Sequence, residues 1–277
     1  MRRVLAVLLG LAVTAALLGY ALEMQQPRVA RYTVKLPNWP AGQKPFRIVQ
    51  ISDLHGNWID MPPQRISGIV AQANALQPDM IVLTGDYVGG KIVDWPHMPL
   101  GDFADRLAKL HAPYGVFAIL GNHDTATWAG WALDQHGIRQ LYNSAADVGP
   151  LSIAGVGDAG SVPSTLSALH ATLHRGTPGK PLILLAHQPD YFRLDEGHYD
   201  LLIVGHTHGG QLKLPLLGAR SYGPFSDAHL RGLFNENGRV MVVSSGLGTS
   251  TFPMRIGVRP EIVEVTLTGT GATAATR

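Results

Sequence analysis

The sequence contains no cysteine, which excludes a disulfide framework, a thiolate metal site, a cysteine nucleophile and a lipid-modified cysteine anchor. Charge is also scarce: only 15% of the 277 residues are charged, with 22 Lys and Arg against 20 Asp and Glu. A nucleic-acid binder would show a concentrated basic face, so a net charge of +2 argues against nucleic acid as the main partner. With 45% apolar residues, the chain can fill a sizeable core and does not read as disordered. The missing cysteine leaves the compartment open.

Glycine and proline are abundant, at 32 and 19 residues, and many fall between apolar runs. That pattern predicts many short strands joined by loops that carry function. After Met1, Arg2 and Arg3 comes an uncharged run from Val4 to Leu22. As a helix it would span roughly 28 Å, close to the hydrocarbon thickness of a bilayer. Residues 1–25 therefore read as a membrane anchor; the alternative is a signal segment cleaved near Gly19-Tyr20-Ala21, with export of the rest. Arg2 and Arg3 favour a cytoplasmic N-terminus, giving a single-pass inner-membrane protein with its domain on the extracytoplasmic, periplasmic side. Arg28, Arg31 and Lys35 reduce that asymmetry.

Residues 26–45 read as a linker in which 31–36 alternate and could form an edge strand. Residues 46–269 form one α/β domain, and 270–277 a disordered tail. Apolar runs at 46–52, 79–85, 115–121, 151–157, 181–187, 200–206, 240–246 and 261–269 predict buried strands. Ile66, Ile69, Val70, Ala73 and Leu76 recur at helical spacing between Pro63 and Pro78, and 102–111 and 127–137 read as further helices.

Polar residues stand repeatedly where such a run stops. Asp53 and His55 follow the first run, Asp86 the second, Asn122, His123 and Asp124 the third. His187 ends a later run, and His206 and His208 end the next. Ligands in α/β folds collect at the carboxyl ends of strands. Any one of these residues alone could be a turn, a cap or a surface side chain. Five strand ends each offering imidazole, carboxylate or amide oxygen point to a metal site, because burying unpaired polar groups is costly.

The blocks DLH, GD, GNHD, a strand-terminal His and GHTH, in that order over residues 53–208, resemble the signature blocks of the calcineurin-like metallophosphoesterases. GHTHGGQ, SSGLGTS and the 255–261 stretch are similar to a membrane-associated bacterial branch of that superfamily. The resemblance implies a four-layer α-β-β-α sandwich and two divalent metal ions, Mn, Fe or Zn. It implies Asp53, His55 and His208 on one ion, Asn122, His187 and His206 on the other, and Asp86 bridging both. It further implies in-line attack on phosphorus by a hydroxide between the metals, with His123 as general acid or electrostatic stabiliser. Asp124 is expected to orient an imidazole or a ligand.

Asp86 is followed by Tyr87-Val88-Gly89-Gly90, so the Asp-Arg-Gly of the phosphoprotein-phosphatase branch is missing, which argues against a Ser/Thr phosphatase. Arg255 reads as a surface side chain, with substrate contact as the alternative. The membrane segment and the branch together suggest a phosphodiester or pyrophosphate that is lipid-linked or part of the cell envelope. A UDP-2,3-diacylglucosamine-type substrate fits that branch but would need a cytoplasmic site. Leu212, Leu214, Pro215, Leu216 and Leu217 could form an apolar lip at the site or a buried strand and turn. A broad phosphomonoesterase, another metal hydrolase such as an amidase or nuclease, and a non-catalytic metal-binding membrane protein are the rival readings.

Overall fold

A computed structural model describes residues 1–89, 98–124, 129–157, 166–194, 199–213, 218–219, 221 and 223–270. The first element, α1 (Arg2–Glu23), is the apolar run, and nearly all of it is exposed; it is long and apolar enough to cross a membrane. Only its C-terminal end, at Gly19 and Glu23, is buried against the rest of the chain.

Two six-stranded sheets follow. The first is built from β1 (Arg28–Leu36), β2 (Phe46–Ile51), β3 (Met80–Leu83), β4 (Val116–Ala118), β5 (Arg139–Gln140) and β12 (Glu261–Gly269), in the order β1-β12-β2-β3-β4-β5. The second holds β6 (Ser144–Val148), β7 (Leu151–Gly155), β8 (Leu182–Leu185), β9 (Leu201–Val204), β10 (Gly232–Glu236) and β11 (Arg239–Val243), in the order β10-β11-β9-β8-β7-β6. Strands β2 to β5 are parallel, as are β7, β8, β9 and β11. Strands buried on both faces need no polar alternation, which is why β3, β8 and β9 are uniformly apolar and uniformly buried.

The helices cover the outer faces. α2 (Pro63–Ala75) and α3 (Leu100–Leu107) pack on the first sheet through Ile66, Ile69, Phe103 and Leu107. α5 (Leu166–Leu173) and α6 (Tyr191–Leu194) pack on the second through Leu169, Leu173 and Phe192. Between the sheets lies a core that joins Ile48, Val82, Val263 and Val265 to Ile153, Ile183, Ile203 and Val242. The four layers are therefore helix, sheet, sheet, helix. Two short helices, α4 (Trp131–Gln135) and α7 (Pro224–Ala228), complete the set among the described residues.

The segment read as a linker with a possible edge strand over 31–36 contains a nine-residue strand at the edge of the first sheet. β1 pairs in parallel with β12 from Arg28 opposite Glu261 to Leu36 opposite Gly269, and Val34 and Leu36 enter the core between the sheets. The short helix expected over 102–111 runs from Leu100 to Leu107, with Leu110 buried just beyond it. The edge strand β10 escapes an apolar-run reading because only one of its faces is covered, and β6 because it packs through small residues, Ala145 and Ala146, beside Ser144 and Asp147. The disordered tail, apart from Thr270, and residues 214–217 of the expected apolar lip lie outside the described residues.

If β1 is an integral strand, Leu36→Ala lowers stability by about 2–5 kcal/mol, the usual cost of a buried Leu→Ala change. Exposed Lys35→Ala stays within about 0.5 kcal/mol. Denaturant unfolding of the full chain followed by circular dichroism checks both; equal effects would contradict the pairing.

Candidate metal centre

The carboxyl ends of strands from both sheets meet along one edge of the sandwich. Asp53 and His55 leave β2, Asp86 leaves β3, and Asn122, His123 and Asp124 follow β4. The second sheet delivers His187 after β8, then His206 and His208 after β9. Each of these turns is abrupt. Asp53, His55, Asp86, His206 and His208 all have φ between 45° and 68°, a left-handed backbone that non-glycine residues rarely adopt. Strain repeated at neighbouring polar residues marks a place where side-chain direction outweighs backbone comfort.

The two sheets approach each other here at a glycine: a methyl group at Gly205, after β9, would overlap Ser52 Oγ and Asp53 Oδ2, after β2. Within the first sheet, a methyl group at Gly121 would overlap Asp86 Oδ1. Asp124 completes the turn: its carboxylate accepts N–H bonds from Asp86 at 2.7 Å, Tyr87 at 2.9 Å and Gly121 at 2.8 Å. Of the two expected roles, orienting an imidazole or a ligand, these three bonds suit the second: they clamp the backbone that carries Asp86.

Two groups of ligand atoms result, one of Asp53, His55 and His208 and the other of Asp86, His187 and His206. In the first, His55 Nε2 lies 3.1 Å from His208 Nε2, and His208 Nε2 lies 3.8 Å from Asp53 Oδ1. In the second, His206 Nδ1 lies 3.2 Å from His187 Nε2, which is 3.1 Å from Asn122 Oδ1. Asp86 Oδ2 stands between the groups, 3.2 Å from His187 Nε2 and 3.5 Å from His55 Nε2.

The outer hydrogen bonds fix which nitrogens face inward. His55 Nδ1 donates to Gly89 O at 2.7 Å, His187 Nδ1 to Thr84 O at 2.7 Å, and His208 Nδ1 to Gly248 O at 3.2 Å. A carbonyl only accepts, so each ring proton sits on Nδ1 and each Nε2 presents a lone pair. In the neutral rings, two lone pairs then face each other at 3.1 Å. A cation shared by both relieves that repulsion. Nitrogens each ~2.1 Å from one ion and about a right angle apart would stand about 3 Å from each other. The residues present thus fit divalent ions, with mixed nitrogen and oxygen donors and no thiolate.

Electrostatics point the same way. Burial, then the neighbouring His187, lowers His206 to about 3, so its ring is a neutral donor. Burial raises Asp53 to about 6 although Ser52 and the His206 amide bond it. Burial also raises Asp124, to about 7, with Asp86 adding repulsion. Asp86 is buried too, but where the surrounding imidazoles, His187 first and then His55 and His123, carry a second proton in the metal-free protein, their positive charge outweighs burial and holds it well below the usual carboxylate range. A bound cation would replace that charge. His123 is the exposed member: its backbone N–H bonds Asp86 Oδ1 at 3.0 Å and its ring lies edge-on to His55 at 5.2 Å.

Arg255, expected at the surface, is fully buried and reaches the backbone of His208 and Gly248. Neither it nor Glu23 could be linked to this site from spacing, since 232 positions separate them. The one local signal was that Glu23 is the first acidic residue, placed where the apolar run stops.

A family model described as calcineurin-like phosphoesterase matches residues 46–210. Among relatives, the chain is 31% identical to YkuE, an uncharacterized metallophosphoesterase of Bacillus subtilis, over 91% of this chain and 90% of that protein. It is 32% identical to the phosphodiesterase YaeI of Escherichia coli, over 80% and 82%. It is 29% identical to the UDP-2,3-diacylglucosamine pyrophosphatase LpxG of Chlamydia trachomatis, over 82% and 85%.

Two outcomes are expected. In metal-free protein the raised Asp53 carboxyl favours the fold while protonated, and that contribution is lost as pH rises through about 6. A metal must displace the same proton, so Mn²⁺ affinity measured by calorimetry should rise about tenfold per pH unit up to about 6 and then flatten. Gly121→Ala should fold yet bind Mn²⁺ at least ~10-fold more weakly; wild-type affinity would show that the close approach at Asp86 is dispensable.

Proposed function

This chain belongs to the calcineurin-like phosphoesterase family and is a hydrolase of phosphoesters, and on that premise we propose that it is a two-metal phosphodiesterase or pyrophosphatase acting on a lipid-linked or cell-envelope substrate. The observation that carries this reading is Asp86 Oδ2, placed between two groups of imidazoles whose unprotonated nitrogens converge. Asp53, His55 and His208 would hold one ion, and Asn122, His187 and His206 the other. Asp86 would serve both, because a carboxylate oxygen is the ligand that can face two cations. Mn, Fe and Zn all suit such a donor set. Two bound ions would supply activated water and neutralise charge on the phosphoryl oxygens.

The chain's own groups divide the remaining work. Asp124 holds the Asp86 loop in register through three backbone N–H bonds. His123, exposed beside His55, is placed to give a proton to a departing oxygen or to stabilise its charge. The carbonyls of Gly89, Thr84 and Gly248 keep three rings in the ligating tautomer.

The lipid-linked substrate is supported by where the site sits. Trp58 and Ile59 lie a few residues beyond His55, and Phe252 a few beyond Gly248; all three are exposed. The same loops meet the end of α1, since Tyr20 donates to Ile59 O at 3.0 Å and the Arg255 amide to Gly19 O at 3.0 Å. Those contacts favour retention of residues 1–25 as an anchor over cleavage near Gly19. An apolar rim around a membrane helix suits an amphiphile whose phosphate reaches the metals while its tail stays in lipid. Arg2 and Arg3 support a domain outside the cytoplasm, and that side favours a lipid pyrophosphate of the outer leaflet over a nucleotide-linked lipid.

The test is hydrolysis by the full chain in detergent with added Mn²⁺, comparing bis-p-nitrophenyl phosphate, p-nitrophenyl phosphate and a lipid pyrophosphate. Diester or pyrophosphate cleavage should vanish in Asp86→Asn and fall about 10²–10⁴-fold in kcat in His123→Ala. Preference for the monoester would turn the reading to a phosphomonoesterase. Folded, metal-loaded protein inert on all three would refute it.

A further inference from the structure

Arg255 is fully buried and binds three acceptors at once. Its Nε donates to Glu23 Oε2 at 2.7 Å, one Nη donates to His208 O at 3.1 Å, and the other to Gly248 O. Gly248 O is the same carbonyl that accepts the His208 Nδ1 proton at 3.2 Å. Glu23, also fully buried, is the last residue of α1, and its second oxygen takes a 2.6 Å bond from Arg65. The helix is fixed further by Arg65 on Glu23 O and by the Arg255 amide on Gly19 O. At Gly19 an added Cβ would stand 3.0 Å from Met254 Cβ, so the helix lies directly against the segment that carries Arg255.

We propose that Glu23 and Arg255 are positioning residues of the metal centre, which makes the last turn of the apolar helix part of the support for His208. The chain of contacts is continuous. Glu23 neutralises and aims the guanidinium; the planar fork sets the His208 and Gly248 carbonyls relative to each other; Gly248 O then orients the His208 ring. Lysine, with a single flexible donor group, cannot hold two carbonyls and a carboxylate in one plane. The apolar helix and the ligand group of Asp53, His55 and His208 therefore move as one body. A domain cut free at residue 25 would leave Arg255 buried without its carboxylate. The inference rests on reading that group as metal ligands.

The experiment is Mn²⁺ titration of the full chain in detergent by calorimetry, with the melting temperature of the metal-free protein read alongside. His208→Ala identifies which class of binding belongs to its group. Glu23→Gln, which keeps the side-chain volume, and Arg255→Lys should weaken that class about tenfold or more and leave the other class unchanged. Arg65→Gln, which removes the separate ion pair on the other Glu23 oxygen but does not touch His208, should lower the melting temperature without shifting either class. Wild-type affinity in Arg255→Lys or Glu23→Gln would overturn the proposal. So would an equal loss in Arg65→Gln, because that would be general loosening. If Arg255→Lys does not fold, Glu23→Gln decides alone. Wild-type protein that binds no Mn²⁺ would instead overturn the metal reading itself, and this inference with it.

Discussion

Unprotonated imidazole nitrogens repel one another, and in this protein two of them face each other at 3.1 Å with a carboxylate oxygen nearby. The outward nitrogens of three rings are tied to carbonyls, so rotating a proton inward would sacrifice a buried hydrogen bond. Much of the surrounding architecture follows from sustaining that unfavourable convergence until a cation resolves it. The left-handed turns at five of the polar residues aim side chains inward. The close contact at Gly205 lets the two sheets meet, and the Asp124 clamp keeps Asp86 from swinging away. A site of this kind stores cost in the empty protein and recovers it on loading, so metal content and stability should be strongly linked.

Each candidate ligand group draws from both sheets. Asp53 and His55 come from the first sheet and His208 from the second; Asp86 comes from the first, and His187 and His206 from the second. The sheets are otherwise joined by apolar packing between Ile48, Val82 and Val263 on one side and Ile183, Ile203 and Val242 on the other. Ions held by these groups would therefore tie together a boundary that dispersion and hydrophobic burial hold shut along the rest of its length.

Much of this was legible in the sequence because parallel strands buried on both faces appear as apolar runs, and each run stops at a polar residue. That is how β2, β3, β8 and β9 could be placed together with the residues after them. What the sequence hid depends on long-range geometry. β10 has one covered face, so its pattern is broken; β6 packs through the small Ala145 and Ala146, and β5 is only two residues long. Asp124 binds amides, which every residue except proline offers, so nothing in the sequence marks its partners. Arg255 looked like a surface residue because arginine usually is one, and its buried partner lies at the far end of the chain. Removing Glu23 would leave the Arg255 guanidinium buried without a carboxylate, a change that typically costs about 3–5 kcal/mol.

The beginning and end of the chain are neighbours: β1 pairs with β12 over nine positions, and α1 is held by Arg255. A ribosome delivers α1 first and these partners last. If α1 spans a membrane, as proposed, the growing domain would hang from it with only Ile59 and Arg65 holding the helix end. Laying the final strand beside β1 and closing Arg255 on Glu23 would turn that partial latch into a weld. A chain terminated shortly after residue 210 would hold all seven expected ligand positions, yet its strand-end cluster would be only half fastened to the helix.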